Sequence, residues 1–290
     1  MSDLSNKVII TAALTGAGTP RSQNPNIPYT PEEIAEDAYQ CWKAGAAVVH
    51  LHMRDERGLG SMDAKRFQKT IQLLRAHEDC DVIINCTSSG ATNTLSPEER
   101  MKHFETIPEI EIGSYDSGSF NWADMAIFDN SPELLHKLAD CYQRNQIKPE
   151  IEVFDTGMLN NAKYYQKKGL LPENIYFQCV LGVLGGMEAT VENLVYLVNH
   201  MPPNSKWSAF GIGKGQLPIL FAALALGCTG LRVGLEDNLI LGVDADGKKI
   251  LATNVSLVKR AVETVRVFGK APATSAQARE ILDIAPLKRS

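Results

Sequence analysis

The sequence predicts a closed (β/α)8 barrel of the α/β class, the TIM-barrel architecture, with a short extra C-terminal helix. Three observations carry this reading. Short β-branched runs alternate with longer amphipathic runs from one end of the chain to the other. Eight such pairs fit into 290 residues with brief loops, and parallel strands need helical crossovers of this kind. No domain-sized linker interrupts them, so residues 1–290 read as a single barrel domain. An open doubly wound sheet usually shows a nucleotide fingerprint after its first strand, and "TAALTGAGTP" lacks G-x-G-x-x-G.

The elements follow in order. "KVIITAAL" (7–14) is the first strand and "TPEEIAEDAYQCWKAG" (30–45) the first helix, with Thr30 as N-cap, Pro31 at N1, Glu33 completing a capping box and Gly45 as the stop. "AAVVHLH" (46–52) is paired with "DAKRFQKTIQLLRAH" (63–77), and "DVIINCT" (81–87) with "SPEERMKHFETI" (96–107), again opened by Ser-Pro-Glu-Glu. "EIEIGSY" (109–115) precedes "SPELLHKLADCYQRN" (131–145), and "KPEIEVFD" (148–155) precedes "GMLNNAKYYQKKG" (157–169). "NIYFQCVLG" (174–182) leads to "EATVENLVYLVNHM" (188–201), and "KWSAFGI" (206–212) to "GQLPILFAALALG" (215–227). "GLRVG" (230–234) is the last strand, "NVSLVKRAVETVRVFG" (254–269) its helix, and "SAQAREIL" (275–282) the extra one. The Pro- and Asn-rich segment 18–31 is long enough to fold over a barrel mouth.

Apolar content of 44% and charge of 22% are those of a soluble globular protein with a sizeable core. The net charge of −5, without a basic tract or basic-aromatic interleaving, argues against a nucleic-acid partner. Six cysteines are scattered with no C-x-x-C pair, which predicts buried thiols rather than a disulfide scaffold or zinc ribbon. The N-terminus lacks the basic start and apolar core of a signal peptide, and no apolar run has the length of a membrane span. A cytoplasmic protein without membrane association is expected.

In a barrel of this class, function gathers on the loops at the C-terminal strand ends. Those ends carry Thr15 and Arg21; His50, His52 and Arg54; Thr87, Ser88, Ser89 and Gly90; Ser114, Asp116, Ser117 and Asn121; Glu150, Glu152 and Asp155; and Arg232, Glu236, Asp237 and Asn238. Such a concentration points to an enzyme. Side chains two apart on a strand share a face, so His50 and His52 stand roughly 6–7 Å apart and can grip one metal ion. The alternative is a pair of hydrogen-bonded barrel histidines. A catalytic zinc usually takes a third protein ligand and keeps a position open. "RVGLEDN" (232–238) supplies two acids from the last strand, which a closed barrel places beside the first. One of Glu236 and Asp237 can bind the metal while the other serves as a base held ionised by Arg232, unless the pair is a solvated acidic turn. Glu150 and Glu152 alternate and make one face of strand five acidic. The loops "GVLGG" and "GIGKG", the second with Lys214, offer backbone N–H groups to an anion or are simply sharp turns. Tyr115, Asp116 and Trp122 suit a cation-friendly wall or plain packing.

"ITAALTGAG", "PNIPYTPEEIAEDA", "GAAVVHLHMRDERG", "PEIEVFDTGM", "VLGVLGGM", "GLRVGLEDN" and "ATSAQAREIL" together resemble the β-keto acid cleavage enzymes, nearly end to end. The resemblance implies an oligomeric TIM barrel, a homotetramer by family habit, with Zn2+ or another divalent metal. It implies a reaction between a β-keto acid and acetyl-CoA that yields acetoacetate and a new acyl-CoA. It assigns His50, His52 and Glu236 to the metal, Asp237 held by Arg232 as the base, and Glu152 as an active-site glutamate. It places Thr87, Gly90 and Ser114 against the substrate carboxylate and keto group. Gly18 stands where the founding 3-keto-5-aminohexanoate enzyme of the family has a glutamate for the substrate amine, which implies a different β-keto acid here. Asp116 replaces an amide and Tyr115 an aliphatic residue, changes that suit a cationic substrate such as dehydrocarnitine. The rival readings are a metal-dependent aldolase or hydrolase that uses no CoA, and a non-catalytic small-molecule-binding barrel.

Overall fold

The computed structural model describes residues 4–90 and 95–287. Eight parallel strands alternate with helices: β1 (Lys7–Ala13), α1 (Pro31–Ala44), β2 (Val48–Leu51), α2 (Ala64–Arg75), β3 (Ile83–Cys86), α3 (Pro97–Thr106), β4 (Ile112–Asp116), α4 (Pro132–Asn145), β5 (Lys148–Val153), α5 (Thr156–Lys167), β6 (Tyr176–Leu181), α6 (Val191–His200), β7 (Lys206–Gly211), α7 (Gln216–Ala225), β8 (Gly230–Val233) and α8 (Asn254–Val267), with α9 (Ser275–Leu282) after them. Hydrogen-bonding order follows chain order and β1 also pairs with β8, which makes this a (β/α)8 barrel.

The chain falls into two compact units, one made of the residues up to Asn85 together with those from Gly230 onward, the other of Cys86–Thr229. In the first unit β1 is the central strand. It pairs with β8 in the register Ile9↔Gly230 to Ala12↔Val233, and with β2 in the register Thr11↔Val48 to Ala13↔His50. Its own side chains are aliphatic or small and fully buried from Val8 to Ala13, so it contributes packing while its neighbours carry the polar groups. In the second unit β4, β5, β6 and β7 are parallel, with Asp116 opposite Glu152 and Glu150 opposite Tyr176.

The helix starts are those the sequence encodes. Thr30 Oγ1 accepts from the Glu33 amide while the Glu33 carboxylate accepts from the Thr30 amide, Pro31 occupies N1, and Gly45 ends the helix at φ +115°. Ile34, Ala35, Ala38 and Cys41 form the buried stripe of α1, at helical spacing. Ser96 with Glu99 repeats the box on α3, and Asp155 caps α5. All six cysteines are buried and free, as their scatter predicts.

Three antiparallel hairpins and one short parallel strand go beyond the alternation read from the sequence. Met53–Arg54 pairs with Gly60–Ser61, Phe120–Trp122 with Ala126–Phe128, and Ile240–Val243 with Lys249–Leu251; Ala271–Pro272 adds to the start of β1. Segment 18–31 is tied within its own unit to the loop that follows β8: Asn24 Nδ2 donates to the Leu239 and Ala252 carbonyls, and Asn26 Nδ2 to Ala252.

Candidate active site

In the first unit, β2 and the β8–α8 loop bring His50, His52, Arg232, Glu236 and Asp237 together. His50 is the third residue of β2 and His52 lies one residue past its end; both are buried. Their rings stand 5.1 Å apart, centre to centre. Glu236 follows β8 through Gly234, whose φ is +153° and where a Cβ would come within 1.9 Å of the Ala13 carbonyl oxygen. That close approach lets the Glu236 amide donate to Ala13 (3.2 Å) and turns its side chain toward β2. Glu236 Oε1 then lies 3.8 Å from His50 Nε2 and 3.4 Å from His52 Nε2.

Arg232 organises the two acids. Its Nε and Nη2 donate to Asp237 Oδ2 and Oδ1 at 2.9 and 3.0 Å, a fork on a carboxylate, and Nη2 also donates to Glu236 Oε1 at 2.6 Å. Asn254 locks the segment from behind. Its Oδ1 accepts from the Leu235 amide (2.7 Å), and its Nδ2 donates to the Leu14 carbonyl (2.9 Å) and to Asp37 Oδ2 (2.5 Å).

Electrostatics divide the roles. Burial drives the His50 pKa down to about 3, with Glu236 pulling the other way, so the imidazole is neutral and keeps a lone pair. Burial also works to raise Glu236, but Arg232, His52 and His50 outweigh it and hold the carboxyl well below the usual range. Asp237 goes the other way: burial pushes it up to about 6 against the pull of Arg232, with the Glu236 charge adding to the rise.

This donor set fits a divalent cation. Two imidazoles and an ionised carboxylate are the N and O ligands zinc takes, and their ligand atoms all lie within 4.8 Å of one another. A tetrahedral ion with bonds of about 2.0–2.1 Å separates its ligand atoms by roughly 3.4 Å, which matches the spacing of His52 Nε2 from Glu236 Oε1. Glu236 Oε2 is buried and finds no hydrogen-bond partner among the described residues, an acceptor left over for a cation.

The second unit carries its own polar cluster at strand ends. Ser114 Oγ donates to Glu152 Oε1 at 3.0 Å, and Asp116, Glu150 and Glu152 are all buried. Ser88 Oγ and the Tyr142 hydroxyl donate to the Ser114 carbonyl at 2.8 and 2.6 Å. Thr87 Oγ1 accepts from the Ser89 amide at 3.0 Å, and the Thr87 carbonyl meets His103 Nε2 at 3.0 Å. Gly90 has φ +79°, and a Cβ there would lie 2.7 Å from the Arg100 side chain. Arg100 in turn donates to the Ser88 and Asp129 carbonyls and to Asn130 Oδ1, each at 2.7 Å, so it braces this loop.

For Tyr115 and Trp122 the packing reading holds. Tyr115 is fully buried and, as the neighbour of Ser114 and Asp116 on β4, points to the opposite face, so it cannot line one wall with Asp116. Trp122 packs edge-on against Phe128 in its hairpin. The two glycine loops also resolve as close packing. A Cβ at Gly185 would come within 1.9 Å of the Asn121 carbonyl oxygen, and one at Gly215 within 2.1 Å of Ala189 Cβ, while Lys214 is exposed. Sequence reasoning missed Asn85, which hydrogen-bonds His50, and Asn254 and Arg100, whose partners lie far away in the chain. Arg54 was legible as a third alternate residue after His50 and His52.

The chain has relatives among known proteins. The model of the family described as "beta-keto acid cleavage enzyme" matches residues 7–284. A 3-keto-5-aminohexanoate cleavage enzyme of Fusobacterium nucleatum is 38% identical over 280 residues, 96% of this chain and 98% of that one. A 3-dehydrocarnitine:acetyl-CoA trimethylamine transferase of Rhizobium meliloti is 34% identical over 92% of this chain and 93% of its own. The solved apo structure of ObcA superposes with a TM-score of 0.79 over 90% of this chain and 66% of that chain, at 24% identity, a likeness of fold. Strand ends that assemble two histidines, two acids and an arginine in a barrel, and a family match running over nearly all of it, lead to one conclusion: the chain belongs to the β-keto acid cleavage enzyme family.

Proposed function

We propose that this chain, read as one barrel domain, is a divalent-metal-dependent enzyme that reacts a β-keto acid with acetyl-CoA to give acetoacetate and a new acyl-CoA. The observation that carries the reading is the His50–His52–Glu236 donor set with Asp237 forked on Arg232 beside it. His50, His52 and Glu236 hold the metal, zinc or a chemically similar ion. When bound, it polarises the substrate's keto oxygen and acidifies the methylene between keto group and carboxylate.

Asp237 takes the methylene proton. A pKa near 6 leaves it ionised at neutral pH yet basic enough to accept, and the Arg232 fork fixes its orientation. The methylene carbon then bonds to the acetyl carbonyl and CoA leaves as thiolate. That thiolate attacks the original keto carbon, the bond between keto carbon and methylene breaks, and the proton returns. The acetyl group ends in acetoacetate and the rest of the keto acid ends as the thioester. Glu152, hydrogen-bonded by Ser114, is a further acid of the site, and Thr87, Gly90, Ser114 and Asp116 bind substrate.

Gly18 is exposed and has no atom within 4 Å of where a Cβ would stand, so it offers nothing to a substrate amine. A substrate other than 3-keto-5-aminohexanoate follows, and buried Asp116 is consistent with a cationic group such as that of dehydrocarnitine. We place the enzyme in the cytoplasm as a homo-oligomer. A panel of β-keto acids assayed with and without acetyl-CoA, scored for acetoacetate, tests the reading. Equal consumption without acetyl-CoA would move the chain to the CoA-independent aldolases or hydrolases.

A further inference from the structure

Arg54 lies two residues beyond His52, in the short strand Met53–Arg54 that pairs with Gly60–Ser61. Its carbonyl accepts from Arg66 Nη1 at 3.0 Å, which fixes its backbone. The side chain is 1% exposed. Its guanidinium donates to four backbone carbonyls: Nη1 to Ala17 and Gly58 at 2.9 Å each, Nη2 to Thr15 at 2.7 Å and Thr19 at 3.0 Å. The Tyr29 ring lies under it at 5.0 Å. Among the described residues no carboxylate stands at salt-bridge distance from it. A buried cation with only carbonyl partners is an expensive way to hold a loop, so what the loop touches matters.

Thr15 and Ala17, two of the four acceptors, flank Gly16. Gly16 has φ +58°, and a Cβ there would lie 2.8 Å from Glu236 Cγ and 3.4 Å from Glu236 Cβ. The backbone at Gly16 is therefore the wall against which the Glu236 side chain rests. Opposite constraints come from the Glu236 amide on Ala13 and from Arg232 on Oε1. The Arg54 charge and the Glu236 carboxylate also favour each other's ionised forms.

We propose that Arg54 and Gly16 act as a positioning pair for Glu236: the guanidinium clamps the carbonyls on both sides of Gly16, and the bare backbone between them sets the carboxylate toward His50 and His52. This rests on the metal reading above. Lysine cannot clamp four carbonyls with one planar head, and alanine at 16 would displace Glu236.

Co2+ binding tests the pair, because its d–d absorption reports ligand number and geometry apart from turnover. In variants with wild-type circular dichroism, Arg54→Lys and Gly16→Ala should each weaken Co2+ binding at least tenfold and alter the spectrum. In a Glu236→Gln background, adding Arg54→Lys should cause no further loss, since both act through one ligand. Wild-type affinity and spectrum in both single variants, or a loss that adds in full to that of Glu236→Gln, would overturn the inference and leave Arg54 a loop clamp only. Should Arg54→Lys fail to fold, Gly16→Ala decides alone. The metal reading fails by a different result, namely Co2+ binding in the otherwise wild-type protein that Glu236→Gln does not change.

Discussion

Arg232 presents one planar head to two neighbouring carboxylates, and they respond in opposite directions. Glu236, which also faces two imidazoles, is held ionised far below its usual range, whereas the more enclosed Asp237 rises to about 6. The difference separates a permanent anion, suited to ligation, from a group that can accept a proton near neutrality. Asp237→Asn keeps shape and the acceptor for Arg232 but removes the base. It should lower kcat by about 10²–10⁴-fold, the usual contribution of a positioned general base, while Co2+ affinity stays at the wild-type level. Steady-state kinetics beside a metal titration check this, and retained kcat would dismiss Asp237 as the base. Gly18 gives a gain-of-function counterpart. Its open surroundings accept a longer side chain, so Gly18→Glu should raise kcat/KM toward 3-keto-5-aminohexanoate by about tenfold or more, as a charge-assisted hydrogen bond of roughly 1.5–3 kcal/mol implies. An unchanged ratio between amino and non-amino substrates would count against the specificity argument.

Helix entry is where this sequence speaks most plainly. The α1 entry is built from Thr30, Pro31 and Glu33, all within one turn, so every bond it needs is local. Thr30→Ala should destabilise the protein by about 1 kcal/mol, read as a shift of the urea midpoint without change of slope. A variant as stable as wild type would show that the entry to α1 is held by packing instead. Locality explains what else was legible. α9 matches its predicted span of 275–282, and the strands fall inside their predicted runs, except that β4 runs one residue beyond its run of 109–115 to Asp116, because β-branched segments between capped helices admit few alternatives. The hairpins escaped because strands of two to four residues, such as Met53–Arg54 with Gly60–Ser61, leave no alternating run to read. In the site, His50 and His52 were legible by spacing and Glu236 with Asp237 by adjacency. Asn254 was not, since nothing near it in sequence hints at partners on Leu14, Asp37 and Leu235. For Tyr115, strand alternation decides between the two readings in favour of packing.

On the scale of the whole molecule, stability should carry a pH signature from Asp37. Burial raises its pKa to about 6, with the Asn254 amide pulling the other way, whereas an unfolded aspartate titrates near 3.9. Below about pH 4 the group is protonated in both states and costs nothing. As pH rises through about 6 the folded state must enclose a carboxylate, and stability is lost. Two pKa units amount to on the order of 2–3 kcal/mol. Asp37→Asn keeps an acceptor for Asn254, and its gain in stability over wild type should be larger at pH 8 than at pH 4.5. Urea unfolding at both pH values reads the difference, and parallel curves for the two proteins would refute it.

The same Asn254 has a consequence in time. The unit that holds the proposed metal site is discontinuous: its first stretch ends at Asn85 and its second begins at Gly230. A chain emerging from the ribosome exposes His50 and His52 early, when β1 has neither β8 beside it nor Glu236 to turn inward. Two imidazoles alone make a weak, exchangeable trap. The proposed third ligand, the arginine that orients it and the asparagine that locks its loop all lie in one later stretch, from Arg232 to Asn254. On the metal reading, commitment to an ion thus waits until the stretch from Arg232 to Asn254 has been made.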